Sequence, residues 1–175
     1  MKRIIMANVL ILLLAVIGTA CIVGILKPLT LEDLKNAEYN SQWPLLRKAK
    51  LTDGTYREKF VPDSSTEILI TLSDYFVFGD FNGDGAVDAA GILISRPGGS
   101  GTFYDLALLL NEKGSPRHVD TVSLGDRIQV KSLTLEGGAI RLTMVVHGPK
   151  DPVCCPTLPV TWSYKVEKEK LVSVK

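Results

Sequence analysis

Reactive side chains are scarce in this chain. Cysteine occurs three times and histidine twice in 175 residues. Two cysteines, Cys154 and Cys155, are adjacent, and the third, Cys21, lies in an apolar run, so the spaced pairs of a tetrahedral zinc site are missing. An excess of one charge is also missing. The net charge is +1, and without Lys2 and Arg3 the remainder is slightly acidic, which excludes the basic stripe that nucleic acid requires. No segment recurs at a fixed period, which excludes solenoids and propellers. Gly98-Gly99-Ser100-Gly101 lacks the Lys-Ser/Thr of a phosphate loop and opens no helix, so it reads as a flexible turn between strands.

Charge is absent altogether from residues 4–26, directly after Met1-Lys2-Arg3. A helix of that length spans roughly 35 Å, enough to cross a bilayer. The basic start should remain in the cytoplasm, sending the remainder across. Three fates compete. The run is an uncleaved anchor, the first choice because it continues apolar through Leu26; or it is a signal peptide cleaved after the small residues Gly18-Thr19-Ala20; or Cys21 accepts a lipid, although Gly18 stands where that motif wants a large aliphatic residue. A buried soluble helix would be amphipathic, and this stretch is apolar all round.

The residues most suggestive of chemistry lie at Gly79 to Ala90. Asp80, Asn82 and Asp84 recur at alternate positions, Gly85 follows, and Asp88 adds a carboxylate. Alternate residues of a curled loop point inward, so these oxygens, the Ala86 carbonyl and Asp88 would converge on one Ca²⁺. Gly91 stands where an EF-hand has its bidentate Glu, and the flanks read as strands. The stretch instead resembles the strand-loop-strand calcium loops of FG-GAP and similar repeats, in a single copy. The competing reading is a metal-free turn closed by side-chain to backbone hydrogen bonds. In either case the role is structural.

Elsewhere the chain reads as short strands separated by glycine turns. Leu29 to Glu38 is expected as a short helix capped by Thr30. A hairpin is expected over residues 48–58, turning at Asp53-Gly54, then a linker over 61–65. Strands follow over 66–72, 75–78, 87–95, 102–110, 118–124, 128–135, 139–147, 160–166 and 171–174. Leu106 to Leu110 is continuously apolar, the mark of a strand buried on both faces. His118 reads as a surface residue. The expected fold is mainly β, an antiparallel sandwich or partly closed barrel, with one N-terminal transmembrane or signal helix and one short helix. Its divisions are residues 1–27 as the targeting segment, 28–65 as a helix and hairpin lead-in, and 66–175 as the β-rich domain.

A second feature is the proline-rich loop from His147 to Thr157, which holds Cys154 and Cys155. In an oxidising compartment the pair would form a vicinal disulfide; with His147 it would alternatively hold a soft metal. Nucleophilic catalysis by Cys155 with His147 is disfavoured, because Pro156 follows the cysteine and no helix N-terminus lowers its pKa.

Taken together, Phe78 to Ala89, Gly98 to Tyr104, Leu124 to Arg127 and His147 to Thr157 resemble a group of uncharacterised exported bacterial proteins, lipoproteins among them. The likeness extends over about residues 30–175. It implies a bacterial cell-envelope location and brings no activity with it. The expected function is a membrane-attached, non-catalytic module with a structural Ca²⁺ loop, binding a protein, glycan or small molecule. The alternative is an envelope enzyme or redox protein built on Cys154, Cys155 and His147.

Overall fold

The computed structural model describes residues 27–174, apart from 62 and 64. The apolar run 4–26 and Cys21 lie outside the described residues, and with them the expected membrane or signal helix. Among the described residues no helix is long and apolar enough to cross a membrane.

The order of elements is α1 (Leu31–Lys35), β1 (Glu38–Asn40), β2 (Lys48–Lys50), β3 (Thr55–Lys59), β4 (Glu67–Gly79), β5 (Asp88–Arg96), β6 (Phe103–Glu112), β7 (Ser115–Asp126), β8 (Gln129–Glu136), β9 (Ala139–Val146), β10 (Leu158–Glu167) and β11 (Lys170–Val174). They form a mainly β structure of antiparallel sheets. Strands β3 to β7 make a five-stranded meander, β8 to β11 a four-stranded one, and β1 with β2 a small pair.

Strand β6 explains how the layers stack. Leu106, Leu108 and Leu110 point to one face and Ala107 and Leu109 to the other, the period of two that a strand imposes. On the first face they meet Leu133, Ile140, Leu142, Met144 and Tyr164 of the four-stranded sheet. On the second, with Ile68, Ile70 and Leu93, they meet Leu34, Tyr39, Ala49 and Leu51 of the first segment. The continuous apolar run is therefore buried on both faces, as its composition requires.

Thr30 caps α1 as expected. Its hydroxyl accepts from the Asp33 N–H at 3.3 Å, and the Asp33 carboxylate accepts from the Thr30 N–H at 2.9 Å, so two orphan donors are satisfied reciprocally. The chain also turns at Asp53-Gly54, where both residues take positive φ (50° and 77°). The arms of that turn do not pair as a hairpin beyond a Thr52–Thr55 bridge. Strand β2 pairs with β1, and β3 pairs with β4. The reason lies in Ala49 and Leu51, both fully buried under the five-stranded sheet. Burying them turns β2 away from the sheet edge that β3 joins.

The expected strands 66–72 and 75–78 are one strand, β4, with an irregularity between Leu72 and Phe76. Strand β7 carries two bulges against β6. Leu109 faces His118 while Leu108 faces Asp120, leaving Val119 extra; Asp105 faces Ser123 while Tyr104 faces Gly125, leaving Leu124 extra. Each extra residue resets which side chains share a face. His118, Thr121 and Ser123 therefore line up beside Leu109, Ala107 and Asp105, on the face that looks toward the first segment.

Candidate functional site

The loop between β4 and β5 begins where Gly79 lies opposite Asp88. A side chain at Gly79 would come within 2.6 Å of Leu135, so the strand end is held close against β8. Asp80 then organises the loop. One of its oxygens accepts from the N–H groups of Gly83 (2.7 Å) and Asp84 (3.2 Å), the other from Gly85 (2.9 Å). Gly83 and Gly85 take φ of +80° and +84°, the left-handed region that lets those N–H groups turn inward. The Asn82 side-chain oxygen accepts from the Asp84 N–H at 3.0 Å, and the Asp84 carboxylate from the Ala86 N–H at 2.7 Å. That last bond, with one from the Asn82 amide, holds the Asp84 carboxyl below its ordinary pKa.

Asp88 is different, because it has no exposure. One oxygen accepts from the Phe81 N–H at 2.9 Å and the other from the Asn111 N–H at 2.8 Å. Burial pushes its carboxyl pKa up despite those bonds, and the charges of Asp84 and Asp80 push it further. The structure thus gathers Asp80, Asn82, Asp84 and Asp88 around one loop, with Ala86 buried within it. Among the described residues, no three His, Cys, Asp or Glu side chains are arranged around one metal position. The carboxylate oxygens face backbone N–H groups instead, the geometry of an Asx-bonded turn. The donor set is nevertheless hard oxygen, and an oxygen that accepts one N–H keeps a second lone pair. Oxygen donors of this kind are those that Ca²⁺ takes.

In the loop after β9, Cys154 and Cys155 are bonded to each other, and both are exposed. Two sulfurs so joined present no thiolate pair to a soft metal. Asp151 ties the loop's ends, accepting from the Gly148 N–H (2.8 Å), the Thr157 N–H (2.7 Å) and the Thr157 hydroxyl (2.8 Å). His147 is half-buried at the start of the loop, and the bonds from the Gly148 N–H and the Thr157 hydroxyl hold the Asp151 carboxyl below its ordinary pKa. Arg127 reaches over from the β7–β8 turn to the Val153 carbonyl at 3.2 Å.

A third location was not legible in the sequence. A cavity of about 450 Å³ lies at strand β7, roofed by the 41–47 loop and reached by Lys170 of β11. Trp43 fixes the roof by stacking on Phe103, with ring centres 4.6 Å apart. His118 sits in the cavity wall rather than on an open surface. Its Nδ1 accepts from the Asn40 N–H at 3.3 Å, and its Nε2 lies 2.8 Å from the Thr121 hydroxyl. The first bond places the ring proton on Nε2, so the imidazole is neutral. Burial pushes its pKa down to about 4, against an opposing pull from Asp120. Asp105 is nine-tenths buried beside the cavity; burial raises its carboxyl pKa and a hydrogen bond with Ser123 partly offsets this.

These features define an antiparallel β protein of two large sheets and one small strand pair, with an oxygen-rich turn at one loop and a small polar cavity at the edge strand β7. No protein-family model, curated protein or solved structure matches the chain. Its functional reading rests on its own side chains.

Proposed function

We propose that this chain is a non-catalytic binding module of the bacterial cell envelope, held to the membrane through residues 4–26 with its β domain, a sandwich, outside the cytoplasm. The observation that carries the binding role is the polar cavity at β7, whose wall combines a buried carboxylate, a neutral imidazole and several hydroxyl and amide groups. Such a concave site with a few placed polar groups is where small ligands bind. The uncharged run after Met1-Lys2-Arg3 supports the membrane attachment. The bond between Cys154 and Cys155 suits an oxidising compartment. After cell fractionation the full chain is expected in the membrane fraction, cleavable by protease added outside the inner membrane. Recovery in the soluble cytosol overturns the assignment.

Calcium has a structural part in this reading. Asp80, Asn82, Asp84, the Ala86 carbonyl and Asp88 would hold the ion, which would neutralise the carboxylates that crowd Asp88. Ion binding to the folded state alone stabilises it by about 2.7 kcal/mol at a hundredfold excess over Kd. The melting temperature should therefore rise with added Ca²⁺, fall with EDTA, and stop responding in Asp84→Ala. An unchanged melting curve under both treatments makes the loop a metal-free Asx turn.

A further inference from the structure

The cavity at β7 has a distribution of charge that specifies more than a generic small ligand. The inference drawn from it rests on the binding-module reading above. Four charged or titratable groups besides His118 line the cavity, and two of them cancel. The Lys170 ammonium donates to Asp120 at 2.9 Å, and the other Asp120 oxygen accepts from the Leu171 N–H at 2.8 Å. His118 is neutral, as its hydrogen bonds require. The remaining two are Asp105 and Arg47.

Asp105 lies opposite Ser123 and on the same face as His118 and Thr121, an alignment produced by the bulges in β7. Nine-tenths buried, it has the Ser123 hydroxyl as partner and no cation within ion-pair distance among the described residues. A buried carboxylate without a cation is costly to keep. Arg47 is exposed on the roof loop, and its guanidinium donates to the Gln42 carbonyl, again without an ion-pair partner among the described residues. Its backbone is held at φ +57°, a conformation uncommon for a side chain of this size. Two bonds fix it there: the Arg47 N–H donates to the Pro44 carbonyl at 2.9 Å, and the Ser41 N–H donates to the Arg47 carbonyl at 3.0 Å.

The cavity therefore places a carboxyl group with no cation beside it at the buried end and a guanidinium with no anion beside it at the mouth. We infer that it binds a small zwitterion of the amino-acid type, the ammonium on Asp105 and the carboxylate on the Arg47 guanidinium. A guanidinium can meet a carboxylate with two parallel bonds, which a lysine cannot. Asn40, Ser41 and Thr121 supply neutral polar contacts between the two ends. The volume, near the low end for ligand sites, suits a single amino acid with a few waters.

The test is calorimetric titration of the full chain in detergent. The probes are the common L-amino acids, ethanolamine as an amine without a carboxylate, glycolate as a carboxylate without an amine, and glucose as a neutral polyol. At least one amino acid is expected to bind, with both half-ligands weaker by about tenfold or more. Asp105→Asn and Arg47→Gln should each weaken the amino acid by about tenfold. Arg47→Gln is at the exposed mouth, so it tests the assignment even if Asp105→Asn fails to fold. Ethanolamine binding as tightly as the amino acid, and unaffected by Arg47→Gln, overturns the zwitterion and leaves a cation site. Glucose as the sole binder overturns it too, while keeping the module reading. Binding by none of the probes to a folded chain overturns the inference; the module reading would then need a macromolecular ligand.

Discussion

Replacing Asp88 by alanine is expected to lower the unfolding free energy by about 3 kcal/mol, from one buried and one part-buried N–H group left without acceptors at roughly 1–3 kcal/mol each. Asp88 is wholly buried and bonds the Phe81 N–H with one oxygen and the Asn111 N–H with the other. It therefore ties the oxygen-rich loop to the far end of β6. Asn111 extends the link, its amide donating to the Val87 carbonyl at 3.1 Å and the Lys27 carbonyl at 2.8 Å, and its side-chain oxygen accepting from the Gly114 N–H at 2.7 Å. One carboxylate thus anchors the start of the described chain, the loop and the β6–β7 turn. Asp88→Asn separates hydrogen bonding from charge. It keeps one acceptor and removes the repulsion from Asp80 and Asp84, but sets its amide nitrogen, a donor, against the second backbone N–H, so its loss should be smaller than that of the alanine variant without vanishing. Urea unfolding of the two variants beside the parent measures both values. Equal losses would show that the charge, not the pair of accepted bonds, matters at this position.

The parts of the fold that were legible in the sequence are those set by local chemistry. Thr30 followed by Asp33 forms its capping box because both partners lie within one helical turn. The run Leu106 to Leu110 is buried on both faces because no polar residue interrupts its alternation. The Asp53-Gly54 turn occurs where it was expected, since these residue types tolerate positive φ. What failed depended on distant partners. The pairing of β2 with β1 follows from the burial of Ala49 and Leu51 beneath a sheet whose strands come later in the chain. The cavity was hidden for a more specific reason. Strict alternation along residues 118–124 sets His118 on the face opposite Thr121 and Ser123. The bulge at Val119 cancels that alternation and puts all three together. No residue in the segment announces a bulge, because neither Val119 nor Leu124 is a glycine. The loop of Asp80 to Asp88 was legible as a cluster of oxygens. Its bonding to backbone N–H groups was the competing reading from the start, since Asp and Asn serve turns and cations with the same atoms.

Between about pH 6.5 and pH 4 the domain is expected to lose up to about 3 kcal/mol of stability through His118. Its folded pKa is about 4, lowered by burial from an ordinary 6.5. Between those values the unfolded chain binds the proton and the folded one does not, so stability rises with pH throughout that window. The contribution is complete above about pH 6.5, declines on acidification and is exhausted near pH 4. The geometry explains the sign. A second ring proton would sit on Nδ1, directly against the Asn40 N–H that now donates to it. Two other groups act in the opposite direction. Asp105 and Asp88 have carboxyl pKa values raised by burial, so acid relieves their buried charge and favours the folded state. Asp120, Asp33, Asp84, Asp151 and Glu169 have lowered carboxyl pKa values and lose stability together with His118 as acid is added, so a difference measurement is needed. In His118→Asn the amide oxygen replaces Nδ1 as acceptor but does not titrate. The variant should be less stable than the parent near neutral pH, and the gap should close as pH falls toward 4. Urea midpoints across that range give the comparison. A gap that stays constant assigns the acid sensitivity to other groups and returns His118 to a purely packing role against Tyr39, its neighbour at 5.8 Å between ring centres.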